Sequence, residues 1–185
     1  MSKFIFSILL LAALSGCATP ARVDQMTAKK IDASKITNES PLRNNLSLKG
    51  VSGGESTNPL WLSKVGSDDF RQALEQSLKT VMLLSPDQSM GGYLLNATLV
   101  SLEQPWVGLD LQVVATVEYS LEERATGKKL LSRTIATPFT ASFSDAVLAF
   151  ERLKIANEGA VRENIEKIID ELLSLNISKQ QISVQ

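Results

Sequence analysis

The chain has 185 residues, 44% of them hydrophobic and 21% charged, which is enough apolar material for one packed core and too little length for two full domains. Its 19 Lys and Arg against 20 Asp and Glu leave a net charge of −1, so nothing argues for gripping a polyanionic backbone, and no nucleic-acid partner is expected. There is no histidine and a single cysteine, which removes His-based triads, His-ligated metals, zinc ribbons and internal disulfides, and neither a metal nor a cofactor is expected.

The N-terminus reads first as an export signal. Met1 to Lys3 give a short positive start, Phe4 to Leu14 are apolar but for Ser7, and Ser15 and Gly16 are small; this is the pattern of a cleaved secretory signal. As a helix the apolar run would rise only ~16 Å, about half of a hydrocarbon core, too short for a permanent span. The tetrapeptide Leu14-Ser15-Gly16-Cys17 resembles the lipobox of bacterial lipoproteins. That resemblance implies cleavage between Gly16 and Cys17, a diacylglyceryl group on the Cys17 thiol and acylation of the new amino group; the alternative is an ordinary signal peptide ending in a cysteine. Lipidation accounts for an unpaired thiol in an exported protein. Two or three acyl chains hold where one is marginal, so the membrane is the first partner expected. Ala18, not aspartate, follows the cysteine; by the same resemblance, this favours the outer membrane, facing the periplasm, over the inner one.

Residues 17–45 are polar and lack a sustained period. They read as a lipidated N-terminus and flexible tether with a short helical stretch around Met26 to Ile36, and a reach of about 30 Å. A single domain is expected over 46–176. Leu46 to Val51 alternate as a first strand stopped by Gly53-Gly54. Ser67 as cap, with Asp68 and Asp69 behind it, predicts a helix that buries Phe70, Leu74, Leu78 and Val81 and ends at Pro86 or just before. Tyr93 to Glu103 and Leu111 to Leu121 alternate as half-buried antiparallel strands. Ala125 to Lys128 form a hairpin turn with Gly127 at positive φ, and Lys129 to Ala136 return, running on past Pro138 as an edge. The last helix is expected from a cap at Ser144 or Asp145 to about Leu175. Its stripe is Phe150, Leu153, Val161, Ile165, Ile168, Leu172 and Leu175, with a bend at Asn157 and Gly159. A loose tail over 177–185 closes the chain.

The order β-α-β-β-β-α predicts an α+β fold, a two-layer sandwich in which a mostly antiparallel sheet of about four strands carries two helices on one face. On a lipobox protein this arrangement resembles the LptE-like envelope-assembly lipoproteins and, more loosely, the auxiliary lipoproteins of ABC-type lipid transporters. The resemblance implies an accessory role and identifies no residue.

Catalytic devices are incomplete. Gly50-Val51-Ser52-Gly53-Gly54 matches G-x-S-x-G, but that turn needs a helix directly after it and a histidine base, and here it reads as a glycine-rich strand exit. The pairs Asp68-Asp69, Glu122-Glu123 and Asp170-Glu171 do not converge on a substrate. Glu163 and Glu166 share a helix face but lack the histidines of carboxylate metal sites. Glu158 with Arg162 and Glu163 with Lys167 read as i,i+4 surface pairs. Trp61 with Leu62, and Trp106 with Val107, lie in connecting segments. They either plug the ends of the sandwich or contact a partner or membrane. The composite reading is a non-enzymatic accessory or adaptor lipoprotein of a Gram-negative envelope, with a protein partner there and no oligomeric state implied. The alternative is a carrier of lipid or another apolar ligand between sheet and helices, which requires the face of Tyr93, Val113, Tyr119 and Phe139 to be underfilled.

Overall fold

The computed structural model describes residues 20–55, 64–105 and 107–177. Gly16, Cys17, Trp61, Leu62, Trp106 and residues 178–185 lie outside the described residues. Four strands, β1 (Leu46–Gly53), β2 (Tyr93–Glu103), β3 (Leu111–Glu123) and β4 (Lys129–Ala141), form one sheet in the order β1-β2-β3-β4. β1 and β2 run parallel, and the other two pairings are antiparallel. A parallel pair needs a crossover, and the intervening helix α2 (Ser67–Thr80) supplies it. The remaining helices are a single turn, α1 (Val23–Met26), and the long α3 (Ala149–Ser174), with a 3₁₀ turn at Ala33–Lys35. The α+β sandwich is therefore as the patterning predicts.

The period-two alternation does the sorting. Leu95, Ala97, Leu99, Val113, Val117, Tyr119 and Leu121 point into the layer under the helices and are buried, while Asn96, Thr98, Thr116 and Ser120 between them face outward. The helices close the layer with Phe70, Leu74, Leu78, Val161, Ile165, Ile168 and Leu172, all fully buried. Gly127 takes φ +69° in the β3–β4 turn, and the Gly127 N–H donates to the Glu123 carbonyl at 2.8 Å.

Helix ends depart from the sequence reading. Gly66, not Ser67, is the N-cap of α2, and Ser67 is its first helical residue. The helix stops at Thr80, well before Pro86, because Met82 adopts φ +56°. The Met82 N–H donates to the Lys79 carbonyl and the Leu83 N–H to the Leu78 carbonyl, both at 3.0 Å, the two bonds of a Schellman termination. The reversal lays Leu83 beside the start of β1, where its carbonyl accepts from the Leu46 N–H at 3.0 Å. Leu148, with no side-chain cap, begins α3 in place of Ser144 or Asp145. The Asp145 carboxylate instead accepts from Ser142 N at 2.7 Å and Ser142 Oγ at 2.9 Å, bonds that hold it below the usual carboxylate range. α3 runs as one helix through Asn157 and Gly159. Gly159 makes room for a ring: a Cβ there would lie 2.3 Å from Phe139 Cδ1. Asn157 is buried and accepts from Gln104 Nε2 at 2.8 Å.

The segment read as a tether is folded onto the domain from residue 20 onward. α1 packs against both long helices, Met26 and Leu42 are fully buried, and each such side chain contributes about 1.5–3 kcal/mol. Polar groups then fasten the segment along α3. Glu158, its side chain only 4% exposed, accepts from Arg22 N at 2.9 Å and Arg22 Nε at 3.2 Å. Arg162 Nη1 donates to the Gln25 carbonyl at 2.8 Å, Glu166 accepts from the Lys29 and Lys30 N–H groups at 2.8 and 2.9 Å, and Lys35 pairs with Asp170. Glu158 thus serves Arg22 rather than Arg162, which corrects the expected surface pair. At the other terminus Ile177, expected in a loose tail, is buried.

Candidate functional site

Three connections leave the same end of the sheet. β1 ends beside Leu99, β2 leads into residues 104–110, and β4 ends opposite the start of β3, with Ala141 paired to Leu111, before leading into residues 142–148. This loop end carries Val107 (87% exposed), Leu109 (74%), Phe143 (48%), Val147 (74%) and Leu148 (55%). They are five of the eight large apolar side chains exposed among the described residues. Of the partner contacts expected from sequence, Val107 is therefore placed on the surface. The loop of Trp61 and Leu62 is described only at its flanks, where the Gly54 N–H donates to the Leu99 carbonyl at 3.1 Å and the Glu55 N–H to the Val65 carbonyl at 3.0 Å.

Specific bonds hold the loops in place. Asp110 Oδ1 accepts from the Phe143 N–H at 2.9 Å, tying the β2–β3 connection to the β4–α3 connection. Arg152, 4% exposed, donates through Nη1 to the Ala146 and Val147 carbonyls at 2.7 Å each. Its guanidinium carbon also lies 5.2 Å from the centre of the Phe143 ring. Four carboxylates near this end are engaged, Asp110 and Asp145 on loop N–H groups, Glu55 with Lys64, and Glu151 with Lys154 at 3.8 Å, while Glu103 at the end of β2 is exposed. Leu109, Phe143, Val147 and Leu148 were missed in the sequence, the last two because the expected cap at Ser144 or Asp145 absorbed them into the helix. An aperiodic apolar pair directly before a helix was the available signal.

Elsewhere the exposed large apolar side chains among the described residues are Met82, Met90 and Val100. The uncovered sheet face holds a shallow depression of about 370 Å³ bordered by Asn96, Thr98, Glu118, Ser120, Ser132 and Thr134. Ser52 is exposed, with Oγ 3.3 Å from Thr98 Oγ1. The layer between sheet and helices, where a carried ligand would sit, is close-packed. Val113 and Tyr119 are buried, and Phe139 is pressed against Gly159. Inside it the Tyr119 hydroxyl donates to Asn164 Oδ1 at 3.0 Å. Asn164 Nδ2 in turn donates to the Ala115 and Ile135 carbonyls at 3.1 and 2.9 Å and to Thr137 Oγ1 at 3.1 Å. Burial pushes the Tyr119 phenol far above its ordinary value. This network joins helix to sheet and opens on no cleft. Among the described residues no cluster of three or more His, Cys, Asp or Glu is placed to hold a metal, and no helix is long and apolar enough to cross a membrane.

No family model and no curated protein matches the chain. The fold is similar to that of a Xanthomonas campestris protein of family DUF330 (TM-score 0.52, 14% identity, over 76% of this chain and 87% of that one). It is also similar to a hypothetical protein from Chlamydia trachomatis (TM-score 0.50, 10% identity, over 72% and 96%). A minor lipoprotein from Acinetobacter baumannii aligns at a TM-score of 0.44, with 17% identity over 70% of this chain and 93% of its own. The first two likenesses are of fold.

Proposed function

We propose that the chain is an accessory lipoprotein of a Gram-negative envelope. It is fixed through Cys17 to the outer membrane on its periplasmic side and acts by binding another envelope component rather than by catalysis. The observation that carries this reading is the gathering of Val107, Leu109, Phe143, Val147 and Leu148 at one end of the sheet. Apolar side chains collected on a rigid rim mark a contact surface, whereas singly scattered ones do not. The lipobox supplies the anchor. The filled layer between sheet and helices argues for surface contact over carriage of an apolar ligand.

Two measurements test the reading. Radiolabelled palmitate should enter the wild-type chain and not Cys17→Ser; incorporation that persists in the variant removes the anchor. A photo-cross-linking residue at Val107 or Val147, irradiated in intact envelopes, should capture a protein or lipid neighbour more efficiently than one at Ser120 on the open sheet face. Equal or absent capture at all three positions refutes the loop end as the contact.

A further inference from the structure

We propose that the loop end is a second membrane contact: Val107, Leu109, Phe143, Val147 and Leu148 seat in the interfacial zone of the same bilayer leaflet that holds the acylated Cys17. The inference rests on the lipid-anchor reading and deepens it by naming a lipid surface as the component bound. Its ground is the direction in which the N-terminal segment lies. Arg22, Gln25, Lys29 and Lys35 meet Glu158, Arg162, Glu166 and Asp170 in that order. The segment therefore runs parallel to α3, and followed backwards it heads for the helix N-terminus, where Val147 and Leu148 stand.

Distances agree. Glu158 is nine residues past the first residue of α3, about 14 Å along the axis. Cys17 precedes Arg22 by five residues, and five residues span at most about 17 Å. An anchor at Cys17 thus reaches the level of the loop end and little beyond it, so the membrane is brought to this end of the domain and not to the β3–β4 turn at the other.

The chemistry of the end suits that surface. The five apolar side chains come from two connections tied together by the Asp110–Phe143 bond, and Arg152 braces the second from below through the Ala146 and Val147 carbonyls. Loops held this way keep their apolar side chains outward instead of folding them back. Asp110, Asp145, Glu55 and Glu151 are already engaged by loop N–H groups or by lysines, so seating the rim leaves exposed Glu103 at the end of β2 as the carboxylate that has to stay on the water side.

The test uses the full-length acylated protein, in which Cys17 is blocked and an introduced cysteine is the sole free thiol. Leu109→Cys, Val147→Cys and, at the far turn, Thr126→Cys are each labelled with an environment-sensitive fluorophore. The labelled proteins are then reconstituted into vesicles of phosphatidylethanolamine and phosphatidylglycerol containing a nitroxide-labelled lipid. Blue-shifted emission that the nitroxide quenches at 109 and 147, with neither effect at 126, supports the proposal. Protein that floats with the vesicles and carries acyl mass but shows no quenching at 109 and 147 overturns the seating while leaving the anchor intact. Protein that neither floats nor carries acyl mass overturns the anchor reading, and the seating with it.

Discussion

Asn164 is the residue whose removal the interior should feel most. It is fully buried; its Oδ1 accepts from the Tyr119 hydroxyl, and its two Nδ2 hydrogens, one of them shared, donate to the Ala115 and Ile135 carbonyls and to Thr137 Oγ1. In Asn164→Ala, Thr137 keeps its bond to the Ala160 carbonyl, but the Tyr119 hydroxyl is left sealed without an acceptor. An orphaned buried group costs about 1–3 kcal/mol, and each further lost bond about 1 kcal/mol. The sum is about 3–5 kcal/mol, a large share of the ~5–15 kcal/mol expected for a domain. Tyr119→Phe alone should cost about 1–2 kcal/mol, because it removes the donor together with its need for an acceptor. In the Tyr119→Phe background Asn164→Ala should therefore be cheaper by about 1–2 kcal/mol. Urea unfolding of the acyl-free chain from Ala18, for the wild type, both single variants and the double, measures that coupling. Additivity within about 0.5 kcal/mol refutes the claim that the hydroxyl depends on Asn164.

Three further expectations follow from packing and charge. Gly159→Ala should destabilise by about 1–2 kcal/mol, since overpacking against Phe139 outweighs the ~1 kcal/mol that alanine gains over glycine in a helix; stabilisation in a thermal melt contradicts the close approach. Arg22→Ala should raise amide hydrogen exchange over residues 23–35 at a cost of only about 1–2 kcal/mol, because the arginine is half exposed although Glu158 is buried; unchanged exchange means the ion pair does not fasten the segment. Above the carboxylate range, stability should be level up to about pH 10 and fall beyond it. The Tyr119 phenol ionises near 10.0 when unfolded but is pushed up by burial in the fold, so the contribution present below pH 10 is lost as pH rises. Tyr119→Phe should flatten that alkaline slope in part, Tyr93 being shifted the same way, and an unchanged slope counts against a buried Tyr119.

What was legible in the sequence follows from where the signal is periodic. β2, β3 and β4 alternate over long runs, one face being buried and the other wet, and Gly127 marks the turn between two of them. The N-terminal segment has no period. It is held by a few apolar anchors, Ala21, Met26 and Leu42, and by backbone N–H groups that meet Glu158 and Glu166, residues more than a hundred positions away. Main-chain donors write nothing into a sequence, so those carboxylates look like ordinary helix-surface charges. The helix starts misled for a related reason. Ser and Asp are good caps and equally good turn acceptors, and at Asp145 the turn after β4 wins, leaving apolar Leu148 to open α3. The loop end was legible at Val107 and hidden at Val147 and Leu148 by that same competition.

The docked segment changes what an anchored form of this protein can reach. A free tether from Cys17 to Asn45 would let the domain stand roughly 30 Å off a membrane and sweep a wide volume for partners. With the chain pinned from Arg22 onward by Glu158, Arg162 and Glu166, only residues 18–21 separate Cys17 from the pinned part, a span of at most about 17 Å. An acylated chain of this shape works at the membrane surface, and a partner has to come there to meet it. Glu158→Ala combined with Glu166→Ala, which leaves no side-chain acceptor for the Arg22, Lys29 and Lys30 N–H groups, should restore part of the lost reach by loosening residues 22–35. Energy transfer from a fluorophore at Thr126 to a labelled lipid should then fall relative to the parent protein. Equal transfer in both would mean that the polar fastening along α3 does not set the height of the domain.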